Sequence, residues 1–158
     1  KLKEKKPGIE FSSDFIIGYP GETEDDFNKT LLLINKVKFI NTYSFIYSSR
    51  PGTPASNMSK VDTKTAKERL NIFQNVANNI KRNYRKNLIN SIRKVLFENI
   101  IKKGDQYFGR DEYSNSVIVK SDRNLTGEIK DVKITQHNHN TLFGEVILDI
   151  KKEKEYAA

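Results

Sequence analysis

The stretch GYPGETEDDF, Gly18 to Phe27, places two glycines and a proline directly before four carboxylates. Glycines ahead of a helix can cradle a phosphate, because backbone N–H groups and the positive helix end then face the anion. Here Glu22, Glu24, Asp25 and Asp26 occupy that end and would repel it, and no lysine follows the glycines as a nucleotide-triphosphate loop requires. Two readings remain. Gly18 and Gly21 can simply permit a tight turn while the acids cap a helix. Alternatively they admit close backbone approach of an uncharged or cationic ligand, such as an adenosyl group with ribose hydroxyls and a sulfonium, to which Glu22 could offer acceptors.

A second group is suited to nucleic acid. Tyr107, Phe108, Arg110 and Tyr113 interleave aromatics with a cation, the arrangement that stacks unpaired bases and meets phosphates, although core packing uses the same aromatics. Lys81, Arg82, Arg85 and Lys86 crowd one end of a helical pattern. They form either a solvated face that complements the helix dipole or a contact for a polyanion. His137 and His139, in HNHN, have no third ligand at a suggestive spacing and read as a polar hairpin end, so no metal site is expected. With no cysteine, the 158-residue chain has no disulfide framework, thiolate metal site or cysteine nucleophile.

The net charge of +8 is unevenly spread. Residues 63–95 carry nine basic side chains and one acidic, against nine and eight before them and ten and eleven after. A polyanionic partner would therefore meet the middle of the chain, although an abundance of Asn, Ile and Lys also follows from AT-rich coding. No apolar run approaches the roughly 20 residues of a membrane span, so no membrane partner is expected and a cytoplasmic location is the default.

The elements that must position these residues are legible from their periods. Ile9 to Tyr19 is β-branched and aromatic and ends in Phe15, Ile16 and Ile17 without alternation, which suits a buried parallel strand. Thr23 with Asp26 three residues on is a capping-box start, and Phe27, Leu31, Ile34 and Val37 predict an amphipathic helix over 24–38. Thr42 to Ser48 predicts a second buried strand, completing a βαβ unit that binds at the carboxyl ends of its strands. Two strands do not make such a sheet, so the sequence is expected to begin partway through a domain, with an N-terminal portion of the same protein missing. After a loop at Pro51 to Pro54, Ala66, Leu70, Phe73, Ala77, Ile80, Tyr84 and Leu88 form one apolar stripe of a long helix. From Ser91 the period becomes two, and five candidate strands predict a small antiparallel barrel of the oligonucleotide-binding type.

The stretches SSDFIIGYPGETEDDF, YSFIYSSRPGTPAS and YFGRDEYSNSVIV…GEIKDVKIT…TLFGEVI, in this order, resemble the later strands and the terminal TRAM domain of radical S-adenosylmethionine methylthiotransferases. The resemblance spans nearly the whole chain and is nearest to the tRNA-modifying branch. It implies an α/β then all-β architecture: residues 1–62 the C-terminal part of a radical SAM (β/α) barrel, 63–90 a long basic helix completing it, 91–151 an OB-like TRAM β-barrel, and 152–158 a tail. It implies S-adenosylmethionine beside [4Fe-4S] clusters as cofactors, with Ile16, Gly18, Pro20, Gly21 and Glu22 contributing to adenosylmethionine binding. The backbone of Phe45, Ile46 and Tyr47 would line the adenine side, with Arg50 at the mouth.

By the same resemblance the intact protein would install a methylthio group on an isopentenyl-modified adenosine beside the anticodon, with the tRNA anticodon stem-loop as partner. The cluster cysteines of that family, including its CxxxCxxC loop, are absent, so this chain carries no catalytic residue and is expected to be inactive alone. Two related branches, acting on threonylcarbamoyl-adenosine in tRNA or on a ribosomal protein, remain open. So does a free-standing RNA-binding module, which would leave the βαβ strands with open edges.

Overall fold

The computed structural model describes residues 1–101 and 104–147. The tail expected at 152–158 and the last barrel residues, 148–151, lie outside these. The chain divides into two compact units, Lys1–Tyr84 and a second beginning at Arg85.

The first unit opens with a short helix α1 (Leu2–Lys5), followed by β1 (Ser12–Ile17), α2 (Glu24–Val37) and β2 (Asn41–Ile46). After a 3-10 turn at Pro54–Asn57 comes α3 (Thr63–Asn87), whose last turn crosses into the second unit. β1 and β2 pair in parallel, in register from Ser12 opposite Asn41 to Ile17 opposite Ile46. Ile17, Phe27, Ile34, Phe73 and Ala77 form the core, with Phe15 packed between Phe39 and Phe73. Each large side chain so buried contributes about 1.5–3 kcal/mol.

One expectation fails here. The strands are not buried on both faces: Ile17 is fully buried and Phe15 partly so, but Ile16 between them is 57% exposed. Both helices supply their core residues to one face of a two-stranded sheet, so strict alternation survives inside an apparently continuous apolar run.

α2 begins as its sequence predicts. The Thr23 hydroxyl accepts from the Asp26 amide at 3.2 Å and donates to the Asp26 carboxylate at 2.7 Å, and the Thr23 amide donates to that carboxylate at 3.1 Å. The hydroxyl bond first, and then the amide bond, hold the Asp26 carboxyl below its ordinary value of 3.8. A carboxyl held low in the folded state stabilises it above the ordinary value and loses that effect as pH falls through the lower one. Thr23→Ala should therefore lower the stability measured by urea denaturation near neutral pH, with the difference from wild type shrinking in acid below the ordinary carboxylate range.

The second unit contains β3 (Ile92–Ile100), β4 (Gln106–Asp111), β5 (Ser116–Lys120), β6 (Ile129–His137) and β7 (Thr141–Val146). They close into a barrel in the order β3-β4-β5-β7-β6. The expected all-antiparallel pairing is corrected at one seam, where β5 and β7 run parallel. Five is an odd number, and an odd number of strands cannot close with every neighbour antiparallel. Val95, Phe97, Val117, Val119, Val132, Ile134 and Leu142 fill the interior.

Candidate functional site

The turn after β1 is built by its backbone. Tyr19 to Glu22 closes with the Glu22 amide donating to the Tyr19 carbonyl at 2.8 Å, with Pro20 and then Gly21 at φ +81° in the central positions, as a type II turn requires. The Gly21 amide donates to the Ser59 carbonyl at 3.1 Å, the Thr23 amide goes to Asp26, and the Gly18 amide donates to Glu22 Oε2 at 3.1 Å. These four amides are thus all used inside the protein, which excludes a phosphate cradle on firmer ground than charge.

All four carboxylates have partners as well. Arg69 on α3 donates through Nη1 to the Glu22 carbonyl at 3.1 Å and to Glu22 Oε1 at 2.8 Å, and through Nη2 to Glu24 Oε2 at 2.9 Å. Asp26 is held by Thr23 and Asp25 pairs with Lys29. The expectation that Glu22 offers free acceptors to a ligand is therefore corrected: both of its oxygens are occupied and its side chain is almost wholly buried. Burial opposes the Arg69 charge, but the bonds to Glu24 and Glu22 outweigh it and raise the guanidinium above its ordinary value.

The other residues expected at this site divide by exposure. Gly18 and Pro20 are buried. Gly18, at φ +70°, faces α3 so closely that a Cβ would lie 2.8 Å from the Ala66 Cβ. Gly21 and Arg50 are exposed, and the Arg50 carbonyl accepts from Thr53 in a turn. Ile16 and Phe45 stand opposite each other in register on the uncovered sheet face, with Phe45 59% exposed. Ile46 is half-buried, and Tyr47 rests edge-on against Tyr19 at 5.2 Å with its hydroxyl buried and without a hydrogen-bond partner among the described residues. Asp14 and Tyr43 form the next row of the same face and were missed, although counting back two residues from Ile16 and Phe45 finds both.

In the second unit the expected nucleic-acid residues also divide. Tyr107 is 4% exposed and belongs to the barrel core, so it cannot stack a base. Phe108 and Arg110 face outward, the Arg110 guanidinium 5.3 Å from the Phe108 ring centre and its Nε 3.2 Å from Glu98 Oε1. Tyr113 lies beyond β4 in a loop fixed by buried Asp111, whose carboxylate accepts from the amides of Tyr113 and Asn115 and from the Asn115 side chain. Arg93 covers Tyr113 at 5.8 Å and pairs with Glu112, a placement that only the fold brings about.

On α3, Arg82 and Lys86 are exposed and Lys81 is half-buried. Arg85 is 4% exposed and donates to the His139 carbonyl, which removes it from the surface cations. The HNHN segment is a polar hairpin end: Asn138 Oδ1 accepts from the amides of Asn140 and Thr141. Among the described residues no three His, Cys, Asp or Glu side chains cluster as metal ligands, and no helix is long and apolar enough to cross a membrane.

The TRAM domain family matches residues 86–147. Over 155 residues the chain is 51% identical to the tRNA-2-methylthio-N(6)-dimethylallyladenosine synthase of Pelagibacter ubique, covering 97% of the chain and 34% of that relative. The protein of the same name from Vesicomyosocius okutanii is 45% identical over 151 residues, covering 95% and 34%, and that from Geobacter sulfurreducens 38% over 149, covering 94% and 33%. The chain thus spans about a third of the length of the curated relatives it matches. The TRAM domain match falls within the second unit, and the similarity to the relatives of this name runs through both units.

Proposed function

We propose that this chain is the C-terminal third of a radical S-adenosylmethionine methylthiotransferase that adds a 2-methylthio group to isopentenyl-modified adenosine beside the tRNA anticodon. The observation that carries the reading is one continuous similarity, 51% identical over 155 residues, running through both units. The βαβ unit supplies two strands of a (β/α) barrel, and the TRAM barrel contacts the anticodon stem-loop in the cytoplasm.

The uncovered sheet face fits an adenosyl group. Ile16, Phe45 and Tyr43 offer a flat apolar surface for a purine, while the exposed Asp14 offers carboxylate oxygens to a ribose. Bound there, S-adenosylmethionine supplies the radical chemistry and the transferred methyl group. This chain's residues bind and orient it. An iron–sulfur cluster does not fit these residues, because no cysteine is present to ligate one, and its ligands belong to the rest of the protein.

Nucleoside analysis of tRNA from a strain lacking the gene tests the reading. The 2-methylthio group should disappear from isopentenyl-modified adenosine. Its retention there refutes the assignment, and a loss from threonylcarbamoyl-adenosine or from a ribosomal protein instead identifies one of the sister branches.

A further inference from the structure

We infer that Arg69 is a positioning residue for the adenosylmethionine-facing end of β1: its guanidinium locks the Gly18–Glu22 turn to α3 and so sets the surface on which the adenosyl group rests. The inference deepens the proposed function and rests on it.

The turn's own hydrogen bond closes Tyr19 to Glu22 but does not tie the segment to α3. Gly18 and Gly21 both sit at positive φ, where glycine is the most freely moving residue, and they flank the only proline in the segment. Three guanidinium bonds close the gap. Nη1 spans the Glu22 carbonyl and Oε1, Nη2 takes Glu24 Oε2, and Glu22 Oε2 passes the constraint on to the Gly18 amide. One side chain, 47 positions from Glu22, thereby fixes one end of the five-residue segment directly and the other through the Glu22 carboxylate. Ala66, one helical turn earlier on α3, meets Gly18 where no Cβ fits, so the same helix registers the turn a second time. Phe27, just inside α2, has its ring centre 5.5 Å from the guanidinium carbon, an attractive cation–aromatic contact.

A buried ion pair is weak grounds for stability, since desolvation offsets much of its attraction. Its geometry favours placement instead. The fork reaches two carboxylates and a carbonyl from two separate nitrogens held in one plane, whereas a lysine ammonium has all its donors on a single nitrogen. Glu22 must accept on both oxygens, so glutamine fails there by turning an N–H toward Arg69 or Gly18. Glu24 accepts from Arg69 through one oxygen alone, and glutamine can reproduce that bond.

The test uses the full-length holoprotein with the variants Arg69→Met, Arg69→Lys, Glu22→Gln and Glu24→Gln. Equilibrium dialysis against S-adenosylmethionine should give a Kd raised about tenfold or more for Arg69→Met, Arg69→Lys and Glu22→Gln, and a smaller rise for Glu24→Gln. Turnover should show KM for adenosylmethionine rising by a similar factor while kcat holds within about threefold. A purely structural role predicts the reverse, a lower active fraction and hence lower kcat with unchanged KM. Wild type that binds and Arg69→Met that binds within about twofold of it overturn the inference. If Arg69→Met fails to fold, Glu22→Gln decides by the same criterion. Wild-type holoprotein that does not bind adenosylmethionine overturns the proposed function itself.

Discussion

Valine in place of Gly109 or Gly144 is expected to unfold the five-stranded barrel. A Cβ on Gly109 would lie 2.5 Å from the Leu96 carbonyl oxygen and 2.7 Å from Val95 Cγ1. One on Gly144 would lie 2.5 Å from the Lys133 carbonyl oxygen and 2.6 Å from Val132 Cγ1. The obstacles are strand backbone and the tips of fully buried valines, and neither can step aside. Both glycines sit beside a register shift, Gly109 opposite Phe97 in the β3–β4 pair and Gly144 opposite Ile134 in the β6–β7 pair. A five-stranded barrel must coil its strands sharply to close, and the closest backbone approach falls where the coil is tightest. Alanine at either position should cost about 3 kcal/mol, at the top of the range for overpacking. Valine, adding two methyls to the same closed space, should cost on the order of 5 kcal/mol, comparable with the whole stability of a small domain. Urea denaturation of the intact protein followed by barrel-specific amide resonances measures this, with Gly8→Ala as control because nothing lies within 4 Å of a Cβ there. A Gly144→Val barrel as stable as wild type would falsify the account of closure.

How far the sequence could be read depends on the distance over which each feature is decided. The α2 cap is decided within four residues, and Thr23 with Asp26 announces it. The switch from helical to alternating period at Ser91 is likewise local, and β3 begins one residue later. Arg69 and Glu22 are decided across 47 residues by the packing of α3 on the first turn, and no local pattern carries that. A weaker signal was nonetheless present. Arg69 lies three residues after Ala66 and four before Phe73, and Arg85 three before Leu88, so both cations stand on the buried stripe of α3 rather than beside it. A long cation on an apolar stripe is an anchor seeking a carboxylate or a carbonyl, and segment charge counts it wrongly as surface. The barrel aromatics follow the same logic. Once Arg110 is taken as outward, a period of two puts Phe108 outward and Tyr107 inward, as observed. That one seam of a closed five-stranded barrel must be parallel follows from strand number alone, whereas its place between β5 and β7 is set by the tertiary fold.

Separating anchors from surface cations also changes which substitutions should weaken RNA binding. Arg82 and Lys86 are exposed and four residues apart on α3, hence on one face of the helix, whereas Arg85 between them is buried on the His139 carbonyl. The double reversal Arg82→Glu with Lys86→Glu should weaken tRNA binding by the full-length protein on the order of 10- to 100-fold near physiological salt. It should also flatten the slope of log affinity against log salt by about 0.7–0.9 for each phosphate no longer neutralised. Phe108→Ala removes a stacking surface and should cost about 1–3 kcal/mol of affinity with the salt slope unchanged. Arg85→Met should behave in a third way. It leaves the His139 carbonyl without its donor and lowers the stability of the second unit, while the salt slope of the folded fraction stays that of wild type. Filter binding or fluorescence anisotropy over a salt series, paired with melting curves, separates the three behaviours. An unchanged slope and affinity for the double reversal would remove α3 from the proposed interface and leave Phe108, Arg110 and the Arg93–Tyr113 pair as the candidates to test next. A flattened slope for Arg85→Met would instead put the buried guanidinium in contact with phosphate, which its bond to His139 forbids.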